Sequence, residues 1–587
     1  MTAGRGRLRE AAFVAVGSML AAVAFTWPLA LHFQTRARDL KDTLFQAWTL
    51  DWVQYAITHG KRVYDANIFA PQKTTLAYSD TLLGIAIPTL PLRWLGMSPI
   101  GVLNVSLILG FAASAAAGYL FVRLVTGSRT AAAIGGAVYA FGPFGALAAR
   151  HLHVAVRPGI PLAAAAAWWL AERARERRPL LTPAVALVAV VAWQGTVSFY
   201  PATYAVGAAA LVLLVRLRDR RSILAGVLAL AACGALLALL AVPNLEIAGR
   251  DPNYEFGLET FGPLGANFLR TEPGITVWGG VLGVGDGDAL KSGVFPGLTV
   301  LVLAGWGAIR GWRRKGRSRT IVVTGLVLTA VGAVLAIGTS ATGIRQYAPY
   351  RLLYELGPPF DALRATVRAW SIGLCGLALL AGMGGVALVE WARRSVATRA
   401  PARASLAAGI TATIIVLALL VEGFDPWSGE PSVRASVVDA ELARRTAEGG
   451  VVSLPMNESE TLDLSLFEQP AVLYGATEHH RLLLNGYAGY VPQSYLDVSN
   501  ALADLPAPDA IRLLQGLGIR FVIVRPSAAD GRWAALRFPE QARPLRFLGR
   551  FGEDLLYEVA AGTSTSTSPS SSTRATSPGL KVTVVNG

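Results

Sequence analysis

The chain alternates between long apolar runs and short clusters rich in arginine. Apolar runs fall near 12–30, 99–122, 130–148, 158–172, 180–195, 201–215, 222–243, 293–309, 320–338, 366–391 and 404–422. An α-helix needs about 20 apolar residues to cross a bilayer and satisfies its own backbone polar groups there, so each run predicts a spanning helix. Runs 158–172 and 180–195 fall short of that length, and their edges are the least defined. The first run follows the basic start RGRLRE. It is longer than the apolar core of a secretory signal, has no small-x-small cleavage site and is followed by more runs, so it reads as a retained helix.

Arginine clusters at 173–178, 216–221, 310–319 and 393–403 lie between these runs. Cytoplasmic loops carry an excess of Lys and Arg, so an N-terminus inside places all of these clusters, and the link around Arg123 and Arg129, on the cytoplasmic side. The alternation works for eleven spans and puts residues 423 onward outside. Loops 31–98, 244–292 and 339–365 then lie outside too. The first loop holds two apolar stretches. Stretch 43–58 is amphipathic and predicts a helix along the interface, while 81–96, with Pro88 and Pro91, predicts an interfacial or re-entrant segment or a further span.

Beyond residue 430 the pattern changes to that of a water-exposed domain. Short apolar runs at 450–454, 471–474, 519–524 and 544–547 predict strands, and 433–448 and 507–517 predict helices. The expected fold class is an α-helical polytopic membrane protein, residues 1–429, with a C-terminal extracytoplasmic α/β domain at 430–560. Residues 561–587 are Ser/Thr-rich and predict a disordered tail, with LKVTVVNG a candidate terminal strand.

Composition fits this reading. Hydrophobic residues are 53% of the chain and charged residues 16%, against about 25% charged in ordinary soluble domains. The net charge of +15 is spread between spans instead of forming a stripe, which argues against nucleic acid as a partner. Cys233 and Cys375 sit inside apolar runs and offer no disulfide framework. The glycine-rich stretch 280–293 lacks the strand, GK[ST] ending and helix of a phosphate loop, so no ATP site stands out.

Candidate chemistry gathers in the external loops. Asp39, Asp42, Asp51, Asp65 and Asp80 all lie in the first loop, next to the membrane surface. A carboxylate there can take a proton from a hydroxyl or help hold a divalent cation, although such acids also cap helices and keep loops soluble. AARHLHVAVRPG places His151, His153 and Arg157 at the outer end of the third run, suited to substrate or phosphate contact or to plain interfacial anchoring. Glu246, Asp251 and Glu255 follow the seventh run and are candidate substrate contacts. Arg364 and Arg368, four apart in PPFDALRATVRAW, predict one helix face able to hold a lipid phosphate or pyrophosphate, or ordinary headgroups. Tyr487 and Tyr490, in LLLNGYAGYVP, suit ring stacking on a sugar or packing within a loop.

Taken together, the plan resembles the bacterial polytopic membrane proteins of the GT-C glycosyltransferase superfamily, especially the YfhO-like and related uncharacterised members. The resemblance rests on a basic start, one span, then DTLFQAWTLDW, VYDANIFAP and LAYSD, followed by YAFGPF, RHLH, PPFDALRATVRAW and LLLNGYAGYVP, and covers most of residues 10–530. It implies transfer of a sugar from a polyprenyl-phosphate-linked donor to a glycan, lipid or protein acceptor on the outer face of a bacterial plasma membrane. It also implies an acidic residue soon after the first span as the catalytic or metal-binding carboxylate, which falls on Asp42 with Asp39 as its rival. Arg364, Arg368 and Arg157 are the implied donor-phosphate contacts. The loop has no adjacent acidic pair and no WWDYG-like segment, so the resemblance does not carry over block transfer of an oligosaccharide. A divalent metal, Mg or Mn, at Asp42 stays open. A catalytically inactive envelope assembly protein and a lipid or glycan transporter or flippase are the competing readings. Few ionisable residues fall within the spans, against an ion-coupled path.

The arginine alternation makes a topology prediction. Reporter fusions at residues 176, 317 and 397 should all read cytoplasmic, and an external reading at 317 would overturn the eleven-span arrangement.

Overall fold

The computed structural model describes residues 2–216, 219–251, 260–284, 293–358, 360–426, 431–456, 469–526 and 531–560. Glu255 and the tail 561–587, including its candidate strand, lie outside the described residues. The main helices are α1 (Thr2–Phe25), α2 (Asp42–Thr58), α3 (Leu83–Trp94), α4 (Pro99–Thr126), α5 (Arg129–Phe141), α6 (Gly159–Arg175) and α7 (Leu181–Val197). They continue with α8 (Phe199–Arg216), α9 (Arg220–Leu240), α10 (Leu298–Arg313), α11 (Arg317–Ala336), α12 (Trp370–Ala397) and α13 (Ala404–Gly423). Eleven of them, α1 and α4 to α13, fall on the predicted spans. Among the described residues, eight helical segments are long and apolar enough to cross a membrane. The shorter α5, α7 and α10 complete the bundle. Run 130–148 is broken at Gly142, where Pro143 starts a separate short helix.

Helix α12 runs through the centre of the bundle, buried for most of its length. Small residues let its neighbours come close: a Cβ on Gly384 would stand 1.9 Å from the Leu303 carbonyl oxygen of α10. The arginine-rich helix ends gather on one face and find carboxylates there. Glu10 of α1 accepts from Tyr119, Arg123 and Arg129 at 2.8 Å each. Glu172 pairs with Arg216 and, at 3.5 Å, with Arg317. Arg317 Nε in turn donates to the Val125 carbonyl at 3.3 Å, joining the two groups.

The other ends of the helices carry the loops and the C-terminal unit. That unit holds a four-stranded sheet in the order β1-β2-β4-β3, with β1 Gly450–Leu454, β2 Ile519–Val524, β3 Arg546–Phe551 and β4 Asp554–Glu558. β1 and β2 pair in parallel, and β4 pairs antiparallel with β2 and β3. β1 and β2 fall where the apolar runs place them, and the helix expected at 507–517 is Pro508–Gly516. The predicted helix 433–448 is shorter, Val437–Arg444. Stretch 471–474 is not a strand but lies in the helix Gln469–Gly475, and its burial against α2 accounts for the apolar run. The fourth strand is β4, whose DLLYE pattern follows β3 across a tight turn at Gly552.

The first loop differs from the expected interfacial helix in one respect. Nearly all of α2 is buried, because the C-terminal unit covers the side that an interfacial helix would leave wet. Asp51 of α2 takes Arg93 of α3 and His480 of the C-terminal unit at 2.7 Å each, and His480 stacks on Tyr55 at 3.8 Å. α3 is too short to span alone, since 12 residues rise about 18 Å against a hydrocarbon core of about 30 Å. Its Ile87 and Trp94 are exposed, as suits an interfacial helix.

Residues 67–70 of the first loop lie alongside residues 483–485 and extend the C-terminal sheet. Phe69 N–H donates to the Asn485 carbonyl, Ala70 N–H to Leu483, and Leu483 N–H back to Asn67, at 2.8–3.0 Å. Gly486 is required by this docking: a Cβ there would lie 2.3 Å from the Phe69 ring. Gly486→Ala should therefore destabilise the protein by about 1–3 kcal/mol, the usual cost of overpacking. A thermal unfolding midpoint equal to wild type would contradict this docking.

Candidate functional site

A cavity of about 1060 Å³ opens where α2, the loops and the C-terminal unit meet. Its wall carries Asp39 and Asp42 from α2 and the turn before it, Asp80 from the first loop, and His151 and His153 from the turn after the third span. Arg364, Arg368, Tyr487 and Tyr490 also line it, among other polar residues, with Tyr200 of α8 beside them.

Asp42 opens α2. Nε2 of His151 lies 2.9 Å from its Oδ2, and Tyr487 Oη donates to its Oδ1 at 2.7 Å. Local structure sets this meeting. Gln46, one turn on from Asp42 and so on the same face, accepts the Leu152 N–H and pins the histidine turn against α2. The Tyr487 ring packs edge-on against Phe45 at 5.3 Å. Burial alone would raise the Asp42 carboxyl, but the hydrogen bonds and charge of His151, and the bond from Tyr487, outweigh it and hold the group well below the usual carboxylate range. The Tyr487 hydroxyl is correspondingly pushed up, by burial first and then by the Asp42 charge. Asp39 plays another part. It accepts from the backbone N–H groups of Lys41 and Thr43 and from the Thr43 hydroxyl, capping α2 while facing the cavity.

A second carboxylate, Asp80, faces the same space. It accepts from Ser198 Oγ at 3.0 Å and the Phe199 N–H at 3.2 Å, and lies 3.9 Å from His153 Nε2. Burial raises its carboxyl, opposed by those two bonds and by the charge of Arg368. Glu272, buried and held by Arg150 at 3.0 Å, lines the cavity as well.

Arg364 and Arg368 do line one cavity, but not as one helix face. Arg364 precedes, and Arg368 lies within, the 3₁₀ turn Thr366–Ala369 that leads into α12. Arg368 lies 4.5 Å over the Tyr200 ring and Arg364 5.9 Å over Phe261. Arg157 stands elsewhere: it is buried between Tyr139 and Phe144, donates to the Tyr139 carbonyl and does not line this cavity. Asp251 is buried behind the wall, taking the Tyr78 hydroxyl at 2.7 Å. Glu246 is exposed away from the cavity, and Asp65 caps the turn at Thr74. Among the described residues no group of three or more His, Cys, Asp or Glu side chains is placed to hold a metal ion.

No family model and no curated protein sequence matches the chain. Solved structures do. The mycobacterial arabinofuranosyltransferase AftD superposes with a TM-score of 0.55 at 15% identity, over 94% of this chain and 40% of that one. The chain has the GT-C fold. It spans about two-fifths of the length of AftD. ArnT from Cupriavidus metallidurans in the apo state aligns over 95% of this chain and 99% of its own, with a TM-score of 0.45 at 15% identity.

Within this GT-C fold the sequence placed Asp42, Asp39, His151, His153, Arg364, Arg368, Tyr487 and Tyr490 among the candidates, and the structure brings them to one cavity. Tyr200 and Glu272 also line this cavity without any local signal in the sequence, and Asp80 is one of five first-loop acids with nothing to single it out. Asp80 is named in the first loop by LAYSD, but nothing local to it announces Ser198 and Phe199 as its partners.

The raised Asp80 carboxyl has a defined sign. A folded state that holds a carboxyl proton more tightly than the unfolded chain gains stability at low pH, and loses it as pH rises through the folded value. Asp80→Asn, which mimics the protonated form, should thus gain thermal stability over wild type increasingly as pH rises above the ordinary carboxylate value of about 4. A stability difference independent of pH would contradict the assignment.

Proposed function

We propose that the chain is a membrane glycosyltransferase that moves a sugar from a polyprenyl-phosphate-linked donor to an extracytoplasmic acceptor. The observation that carries this reading is one cavity in a GT-C fold that joins an anionic carboxylate–imidazole pair, Asp42 and His151, to the arginines Arg364 and Arg368. An arabinofuranosyltransferase with the same fold supports sugar transfer as the reaction class.

A lipid donor is anchored in the bilayer, so its anomeric carbon stays near the membrane surface, at the level of the helix ends where this cavity lies. In the proposed reaction an acceptor hydroxyl attacks that carbon from one side while lipid phosphate departs from the other, inverting the centre. Asp42 and the imidazole it holds remove the hydroxyl proton. Negative charge grows on the departing phosphate, so guanidinium groups placed there bind the transition state better than the ground state. Arg364 and Arg368 take that role, and their forked donors match phosphate oxygens. The acceptor outcompetes water by position, which the aromatic wall of Tyr487, Tyr490 and Tyr200 supplies. In this reading the C-terminal α/β unit, residues 430–560, closes one side of the acceptor cleft, and the Arg-rich face is cytoplasmic.

Transfer assays with a panel of polyprenyl-phosphate sugars test the assignment. Asp42→Asn should lose about 10²–10⁴ in rate with donor binding kept, while Asp65→Asn retains wild-type transfer. Arg364→Ala and Arg368→Ala should weaken use of the donor, with only partial recovery by Lys, which offers a point charge in place of a fork. Wild-type turnover in both Asp42→Asn and the double arginine variant would remove the cavity from the chemistry.

A further inference from the structure

The Asp42–His151 contact has a polarity that decides which of the two groups takes a proton. Both Asp42 oxygens are already engaged, Oδ1 by Tyr487 and Oδ2 by His151 Nε2. A carboxylate held ionised by such donors is a weak proton acceptor near neutral pH, where an efficient base titrates close to the working pH. The same carboxylate is well suited to orient an imidazole. Lying 2.9 Å from Nε2, it favours the Nε2–H tautomer, which leaves Nδ1 as the ring nitrogen with the free lone pair.

The structure leaves Nδ1 available. His151 lines the cavity, its only side-chain polar contact among the described residues is the one to Asp42, and its Nδ1 is not among the polar atoms sealed in the interior without a partner. The ring is held on several sides. The Leu152 N–H is tied to Gln46, the His151 carbonyl accepts from Val154 and Ala155, and His153 stands edge-on at 5.7 Å.

We infer that His151 is the catalytic base of the proposed transfer, with Nδ1 receiving the acceptor proton, and that Asp42 is its positioning residue, held in turn by Tyr487. This rests on the transfer reading above. In the step, the acceptor oxygen forms a bond to the anomeric carbon as its O–H proton passes to Nδ1. The bond from that carbon to the phosphate oxygen breaks, and its electron pair leaves with the lipid phosphate. His151 becomes an imidazolium whose charge is balanced by Asp42, and it returns the proton to solvent once the product departs. Tyr487 comes from the C-terminal unit, so docking of residues 483–485 on residues 67–70 is what completes the base. The groups that act on the pair are Tyr487 and His153 at the carboxylate, His153 and Glu272 at the ring, Asp39 and Arg364 at Tyr487, and Arg368 beyond His153.

Two measurements on the full chain in lipid nanodiscs decide this. The first is the nitrogen NMR spectrum of ¹⁵N-histidine-labelled protein, with His151 assigned by its loss in His151→Gln. Wild type should show the Nε2–H tautomer for His151, and Asp42→Asn a mixture of tautomers. A His151 in the Nδ1–H form, or one unmoved by Asp42→Asn, would overturn the inference. The second is transfer. His151→Gln should lower kcat by about 10²–10⁴ with KM for the donor little changed, and His151→Ala should be partly rescued by added imidazole. Wild-type kcat in His151→Gln would return the proton to Asp42. If wild-type protein transfers no sugar from any donor, the transfer reading falls, and the tautomer spectrum still accepts or rejects the pair by itself.

Discussion

Asp42 is a carboxylate drawn into the wall of a cavity, and the cost of placing a charge there is met only by bringing donors from far along the chain. Its partners His151 and Tyr487 belong to a turn after the third span and to the C-terminal unit. An ionised group in such a place must be paired and hydrogen-bonded, or it neutralises. The constraint therefore reaches well beyond one residue. It asks that α2 be pinned to the histidine turn, as Gln46 does, and that the C-terminal unit be seated on the first loop, as the 67–70 and 483–485 pairing does. The cavity exists where these requirements meet.

Two groups of arginines at opposite ends of the bundle have different surroundings. At one end Arg123, Arg129, Arg216 and Arg317 are matched to Glu10 and Glu172 and tie helices together. At the other, Arg364 and Arg368 lie over aromatic rings and face the cavity. Ring faces help to hold a guanidinium in place beside the cavity. The same residue type thus ties helices together on one face and, in the proposed reading, meets the donor phosphate on the other.

Much of this was legible in the sequence, because long apolar runs report helices directly. The positions of the spans, of β1 and β2, and of the Asp42, histidine and arginine candidates all follow from local patterns. What a local pattern cannot carry is who covers whom. α2 looks amphipathic, yet inside the protein Asp51 meets Arg93 and His480, and the Gln54 amide N–H donates to the Ala86 carbonyl. Run 471–474 is apolar because it packs on α2, and periodicity over so few residues does not separate helix from strand. Asp80 gains its partners Ser198 and Phe199 from a helix more than a hundred residues away. Arg157, which the resemblance offered as a phosphate contact, sits one helix layer deeper, where its ring partners Tyr139 and Phe144 hold it.

The central claim is that this cavity receives the phosphate end of a polyprenyl-linked sugar beside the Asp42–His151 pair. The most direct measurement is a cryo-EM structure of the full chain in nanodiscs with a polyprenyl phosphate. The account predicts phosphate density within hydrogen-bond reach of Arg364 or Arg368, with the lipid chain leaving between helices at the same end of the bundle. Phosphate density only at the Arg-rich face around Arg216 and Arg317, with an empty cavity, would contradict it.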